Sequence, residues 1–345
     1  MTSASKPAQD APDRGSATIA QIADLAGVST ATVSKVVNGR ADVAPETRAA
    51  VENLIHEHGY RRQKKVTRAT IVELVLPEIR GAYGMEVIKG VERVAVEHQL
   101  ALVVSELHGD HVPGRNWIEA VIARRPTGVV AVLSGPPPAE QDQLRNREIP
   151  LALVDPVGEI DPDLPSATGD NWGGGLAATR HLLLLGHRRI AAITGPALSL
   201  PSRARLDGYR TALDTAGVAI DPELVRVGDF QLEDGLTHGL DLLTLPDPPT
   251  AVFAFNDAQA IGVYQAAHQL GLRIPHDLSV VGYDDLPTAT WAIPALTTVR
   301  QPLRDMAATA TRMVIDLAQG AAATPHRSLF ATELVVRAST APPSR

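Results

Sequence analysis

Cysteine is absent from the 345-residue chain. That removes disulfides, thiolate nucleophiles and cysteine-ligated zinc or iron–sulfur sites together, and it fits a reducing cytoplasm. No stretch approaches the roughly 20 apolar residues that a membrane helix needs. The N-terminal MTSASKPAQDAPDRGSA has no apolar run behind its charges, so a secretory signal is not expected either. No GxxxxGKS/T loop occurs, and Asn171-Trp172-Gly173-Gly174-Gly175 lacks both the spacing and the lysine of a phosphate cradle. Ser202 sits in no GxSxG elbow. The pairs His56/His58 and His108/His111 have no third ligand nearby and read as solvated surface. The chain is therefore not expected to be an enzyme, and no catalytic residue, metal or cofactor is assigned.

What is present is the balance of a folded protein, 44% apolar and 21% charged, at a length that suits two or three domains. The net charge of −7 is unevenly spread. Residues 1–68 hold 10 Lys+Arg against 7 Asp+Glu, whereas the remainder holds 22 against 32. A small basic segment thus precedes a large acidic one, and only the first is suited to approach phosphates. Residues 1–17, rich in Ala, Ser, Pro and Asp, are read as a disordered tail.

Residues 18–60 carry three short helical patterns. Ile19, Ile22, Ala23 and Ala26 share one face, with Thr18 as N-cap, and Gly27 supplies the freedom for a turn. Ser29 caps a second helix whose inward face is Val33, Val36 and Val37. Pro45 opens a third, running through Ala49, Val51, Leu54 and Ile55. The outward positions of the second helix, Thr30, Ala31, Ser34, Lys35 and Asn38, are small or hydrogen-bonding. The basic run RRQKKVTR follows. A plain three-helix bundle explains the apolar positions. It does not explain that outward face and that charge, which point to a helix-turn-helix on double-stranded DNA.

The run resembles the head of the lactose/galactose repressor family, whose pattern is T-x-x-x-V/I-A-x-x-A-G-V-S-x-x-T-V-S-x-x-x-N. Every fixed position is matched, from Thr18 through Ile22, Ala23, Ala26, Gly27, Val28, Ser29, Thr32, Val33 and Ser34 to Asn38. The resemblance implies that Thr30, Ala31 and Lys35 read bases, with lysine donating to guanine and the methyls meeting thymine. It also implies that Ser29, Thr32, Ser34 and Asn38, together with Thr18, lie at the DNA and fix register. The linker departs from the family. Only RRQKKVTRAT separates Tyr60 from the first strand, shorter than usual and without the leucine that wedges the minor groove. Arg61, Lys64 and Lys65 are expected to meet phosphates there, with Val66 and Ala69 as the only apolar candidates.

After Thr70, apolar runs alternate with helical segments. Strands are expected at Ile71–Leu76, Ala101–Ser105, Gly128–Leu133, Leu151–Val154, Arg189–Thr194, Ala251–Phe255 and Ser279–Tyr283. Helices between them mean parallel sheets covered on both faces, and the length allows two such units. The polar residues just past the strand ends are Tyr83, Asp155, Arg205, Asn256, Asp257 and Asp284. Ligands of open parallel sheets bind beyond those ends. Carboxylates, an amide and a guanidinium converging there suit a polyhydroxylated ligand. Asp257 could equally cap the helix it precedes, and Asp285 reads as structural. With aromatics at only 3%, Trp172 and Trp291 stand out; each either stacks on a sugar face or packs internally.

GHRRIAAITGP, SRARLDGYRTAL, AVFAFNDAQAIGVYQA, LSVVGYDDLP and PALTTVRQP extend the resemblance over nearly the whole chain after residue 17. It implies a core of two Rossmann-like parallel-sheet subdomains of periplasmic-binding-protein type. Their expected limits are about 71–165 plus 296–325, and 166–295 plus 326–345. Arg205, Asn256 and Asp284 match the family's sugar-contacting positions. The expected function is a homodimeric, sequence-specific repressor whose hold on a near-palindromic operator is controlled by a small molecule, a sugar, bound between the subdomains. A solute-binding protein would share the core but have no use for residues 18–68. An α/β enzyme acting on sugars or nucleotides would need a catalytic constellation that is missing.

Overall fold

In the computed structural model of the chain, the described residues are 19–37, 43–57, 69–107, 115–132, 137–156, 161, 163–321 and 326–344. They fall into two units, Met1–Thr67 and Arg68–Arg345. Thr18, Asn38, Arg61, Lys64, Lys65 and Val66 lie outside the described residues.

The N-terminal unit contains helices α1 (Ile19–Ala26), α2 (Thr30–Val37) and α3 (Pro45–Glu57). Gly27, at φ +64°, ends α1. The amide of Val28 returns to the carbonyl of Ala23 at 3.0 Å and that of Gly27 to Asp24 at 3.3 Å. This is the paired closure that a left-handed residue after a helix makes possible. The hydroxyl of Ser29 then accepts from the amide of Thr32 at 3.1 Å and starts α2. Ile22, Ala23, Val33, Val36 and Val51 form the buried centre, with Leu54 and Ile55 packed against it. On α3, Val51 turns to this centre while Ala49 is exposed. Each fully buried valine contributes on the order of 1.5–3 kcal/mol, so this small core holds the helix pair with little to spare.

The core unit runs β1 (Ile71–Leu76), α4 (Gly81–Glu97), β2 (Ala101–Glu106), α5 (Arg115–Arg124), β3 (Gly128–Ala131), α6 (Pro138–Arg145), β4 (Leu151–Val154) and β5 (Ser166–Gly169). It continues with α7 (Asn171–Leu184), β6 (Ile190–Thr194), α8 (Leu200–Thr215), β7 (Val225–Val227), α9 (Leu232–Leu243), β8 (Ala251–Ala254), α10 (Asp257–Gln269) and β9 (Ser279–Asp284). It closes with α11 (Pro287–Trp291), β10 (Thr297–Arg300), α12 (Leu303–Ala318), β11 (Arg327–Phe330) and β12 (Glu333–Val335).

Two six-stranded sheets result, in the orders β11-β5-β4-β3-β1-β2 and β12-β10-β9-β8-β6-β7. All described pairings are parallel except β12 on β10. In the first lobe α4 and α12 cover one face and α5 and α6 the other. In the second, α9 and α10 face α7 and α8 across the sheet. The pairing puts Ser166–Gly169 and Arg327–Phe330 in the first sheet and Thr297–Arg300 in the second. The chain therefore crosses between lobes after each of these strands, later than the expected points near 165, 295 and 325. Hydrogen bonding decides this, since β5 pairs with both β4 and β11.

The C-terminal segment is sewn to the second lobe. His187 joins Thr250 through Nδ1 at 2.8 Å and the carbonyl of Ala341 through Nε2 at 2.9 Å. His181 meets the hydroxyl of Thr340 at 2.9 Å, and Ser339 donates to the carbonyl of Val280 at 2.6 Å.

Candidate effector site and DNA-reading helix

The three crossings bring the ends of both sheets together, and a continuous run of polar side chains follows them. Tyr83, in the first turn of α4, donates to Asp155 at 3.4 Å. Asp155, just past β4, accepts from the hydroxyl of Thr168 at 2.8 Å. Asn171, the first residue of α7, donates to the carbonyl of Gly169 at 3.0 Å and accepts from Nε of Arg205 at 2.8 Å. The guanidinium of Arg205 also bonds the carbonyl of Phe255 and lies 3.7 Å above the centre of the Tyr283 ring. Its Nη2 is 4.0 Å from Oδ1 of Asp284, which accepts from Gln301 at 2.7 Å. The run thus passes from one lobe to the other and back to a crossing. Oε1 of Gln301 is buried without a hydrogen-bond partner among the described residues.

The sequence explains why α7 can bring Asn171 so close. Asp170 caps the helix by accepting from Gly173 at 2.9 Å. A Cβ on Gly174 would stand 2.4 Å from the Tyr283 hydroxyl, and one on Gly175 would stand 2.3 Å from the backbone oxygen of Arg205. The glycine run that is no phosphate loop is a docking surface for the site's own arginine and tyrosine.

Burial dominates the electrostatics. It pushes the Asp284 carboxyl up to about 7 against the opposing pull of Arg205. It also raises Asp155, again against Arg205, and raises the Tyr83 hydroxyl, which faces both carboxylates. An aspartate whose folded value lies above its unfolded 3.8 binds more protons when folded, so its contribution favours the fold below that value and fades as pH rises towards 7. Melting temperature without effector should therefore fall less between pH 5 and pH 7.5 in Asp284→Asn than in the parent chain. Comparing the two proteins cancels the partly buried His181 and the buried His187. Their lowered values act in the opposite direction, costing stability as pH falls below about 6.5. Equal slopes for the two proteins would show that Asp284 ionises normally.

Of the residues expected at the site, Tyr83, Asp155, Arg205 and Asp284 share this network. Asn256 lies beside it with its amide already used: Oδ1 caps α10 by accepting from Gln259 at 2.8 Å, and Nδ2 donates to the carbonyl of Phe230 at 2.8 Å. The capping role considered for Asp257 therefore belongs to Asn256. Asp257 is buried, accepting from Thr298 at 2.5 Å and from the amide of Leu286 at 2.7 Å. Trp172 is 43% exposed and Trp291 73% exposed, and neither indole joins the network. Thr168, Asn171, Phe230, Tyr283 and Gln301 were not singled out from the sequence. Their common signal is position, in or near the loops that follow strand ends or crossings.

On α2, Thr30, Ala31 and Lys35 are exposed, whereas Thr32 and Ser34 are half-buried. The hydroxyl of Ser29 is engaged in the cap and pairs with that of Thr32 at 2.9 Å.

Elsewhere between the lobes, the loop after β1 meets the start of α9. Arg80 donates to Gln231 and lies 3.9 Å from Glu233, while Gln231 donates to Glu78 at 3.4 Å.

Comparison with known proteins accords with this architecture. Residues 18–63 match the family model "Bacterial regulatory proteins, lacI family" and residues 179–340 match "Periplasmic binding protein-like domain". The ribose operon repressor of Escherichia coli K12 is 34% identical over 305 residues, which is 87% of this chain and 92% of that protein. The solved complex of the transcriptional regulator CelR with cellobiose is 33% identical with a TM-score of 0.72, covering 94% of this chain and 99% of that one. The lac repressor dimer bound to operator and the anti-inducer ONPF is 26% identical with a TM-score of 0.67, covering 95% of this chain and 100% of that one. The chain belongs to the lacI family of bacterial regulatory proteins and is a DNA-binding transcriptional regulator with an effector-binding core.

Proposed function

We propose that the chain is a homodimeric repressor of a near-palindromic operator, switched by an uncharged polyhydroxylated effector, a sugar, held among Tyr83, Asp155, Arg205 and Asp284. Asn256 stands at the edge of that site, and Trp172 and Trp291 are secondary candidates. The observation that carries the reading is the polar run across both lobes, with Oε1 of Gln301 buried inside it and without a hydrogen-bond partner among the described residues. A buried acceptor of this kind calls for a partner, and a sugar hydroxyl is a donor of the right size. Two carboxyls, both raised by burial, beside one guanidinium leave the site no surplus positive charge, which favours a neutral ligand over a phosphorylated one. Because the run spans both lobes, a ligand bound to it favours one arrangement of the lobes. That differential affinity is what a switch requires. The relatives named above are regulators, and we read this chain likewise as a non-enzyme.

The test is a thermal-shift screen of D-ribose, cellobiose, other neutral sugars, sugar phosphates, nucleosides and purines. It is followed by a gel shift on upstream DNA with each hit. A neutral sugar present at about 100 times its Kd should add roughly 2.7 kcal/mol of stability. A hit confined to phosphorylated compounds or purines would overturn the reading.

On the DNA side, Lys35→Ala should relax preference at one operator position at a cost of roughly 1–3 kcal/mol. Ser34→Ala should weaken all sequences alike, since a phosphate contact carries no sequence information. Binding-site selection on the two variants distinguishes them. The same altered preference in both would mean that α2 docks in another orientation.

A further inference from the structure

Asp284 and its neighbour Asp285 both have left-handed backbones, with φ of +107° and +55°. Side chains other than glycine rarely occupy that region, and two in succession persist only where the surroundings hold them. The carboxylate of Asp285 is the point at which they are held. Its Oδ2 accepts from Nε of Arg300 at 2.7 Å and its Oδ1 from Nη2 of Arg337 at 2.5 Å. Arg337 is itself fixed, donating through Nη1 to the carbonyl of Leu296 at 2.8 Å and through its amide to Thr297 at 2.9 Å. Arg300 directly precedes Gln301, so consecutive residues at the end of β10 grip the consecutive aspartates, Arg300 on Asp285 and Gln301 on Asp284.

The two arginines differ in weight. Arg300 is half exposed and shares itself with Glu333 at 3.5 Å, whereas Arg337 is largely buried. Asp285 is nearly buried as well. Without Arg337, its carboxylate would keep only the solvated partner.

We propose that Asp285, clamped by Arg300 and Arg337, is the positioning residue that holds the Asp284 carboxylate at the effector site. The segment after β12 thereby takes part in effector recognition without touching the effector. This rests on the reading of Asp284 as an effector-binding residue, and the experiment separates the two.

The full chain is labelled with carboxyl-13C aspartate, and the Asp284 signal, assigned by its loss in Asp284→Asn, is followed against pH. In the parent chain the expected midpoint lies at about 7, pushed up by burial. In Arg337→Ala and Asp285→Ala the turn relaxes and the carboxylate leaves its buried seat, so the midpoint drops by about one pH unit or more towards the ordinary range. Asp285→Gly is the decisive variant, because glycine adopts the left-handed backbone without being held. It keeps the midpoint near that of the parent, and adding Arg337→Ala to it changes nothing further. A midpoint unmoved in Arg337→Ala and Asp285→Ala, or one that drops equally in the alanine and glycine variants at 285, overturns the proposal. Should Arg337→Ala not fold, the alanine–glycine pair at 285 decides alone. Binding of D-ribose and cellobiose, measured in parallel on Asp284→Asn, tests the site: intact sugar binding there defeats the effector reading, whereas the titration still decides the clamp.

Discussion

Arg205→Ala is expected to abolish the response to effector while leaving operator affinity in its absence unchanged. The side chain joins Asn171, the carbonyl of Phe255, the Tyr283 ring and Asp284, so its loss removes the centre of the polar run. It also leaves Asp155 and Asp284 buried without the cation that opposes their desolvation. Breaking a buried pair in this way typically costs about 3–5 kcal/mol, so a lower melting temperature should accompany the lost response. Arg205→Lys should restore little of either, because an ammonium cannot both stack on Tyr283 and bond in two directions. Every partner of Arg205 described here belongs to the core, which is why basal DNA binding should survive. Operator binding by fluorescence anisotropy, titrated with whichever sugar the thermal screen selects, is the measurement. A variant that responds with the parent's midpoint removes Arg205 from the site.

Gly175→Ala should be nearly as damaging, although residue 175 touches no ligand. Helices α7 and α8 cross at two glycines: a Cβ on Gly175 would lie 2.3 Å from the backbone oxygen of Arg205, and one on Gly208 would lie 2.2 Å from that of Trp172. Both obstacles are backbone, so no rotamer change relieves them. Helix propensity favours alanine by about 1 kcal/mol, but overpacking costs typically 1–3 kcal/mol and more where backbone must move. The clash wins, and it pushes Arg205 itself away. A matched control exists on the other face of the sheet, where α9 and α10 cross at Gly235 and Gly262 with equally close approaches of 2.0 Å and 2.1 Å. Gly235→Ala should lower the melting temperature to a similar degree and leave effector affinity intact. If both variants weaken effector binding in proportion to their lost stability, the effect is global and not local to Arg205.

The helix-turn-helix was legible almost residue by residue because its determinants are local: a glycine that ends one helix, a serine that starts the next, valines at the inward spacing. Strands such as Ala251–Ala254 and Leu151–Val154 were legible because a parallel strand buried on both faces reads as an unbroken apolar run. Ser166–Gly169 was not. Its sequence, SATG, is largely buried yet carries no large apolar residue, and it pairs with a strand more than 150 residues later. Missing it shifted the boundary of both lobes. In the candidate site, Asp155, Arg205 and Asp284 stand out in the sequence because charged residues beyond strand ends are conspicuous. Asn171, Thr168 and Gln301 are neutral, and only the crossings, which are long-range pairings, bring them to the same place. Trp172 and Trp291 were singled out by rarity, which says nothing about location.

The exchange of strands between lobes has a consequence for how the protein is made. The first sheet is completed only by β11, and its core needs Met306, Met313 and Val314 from α12. The second sheet waits for β12, and His187 and Ser279 for Ala341. A growing chain folds the domains whose parts have already emerged. Here α1–α3 emerge before either lobe, whereas neither lobe has all its pieces until β11, β12 and Ala341 have been made. A prematurely terminated product should therefore retain the helix-turn-helix and lack any sensor. Proteolytic quality control would meet such a product as a folded N-terminal unit trailing an unfinished core.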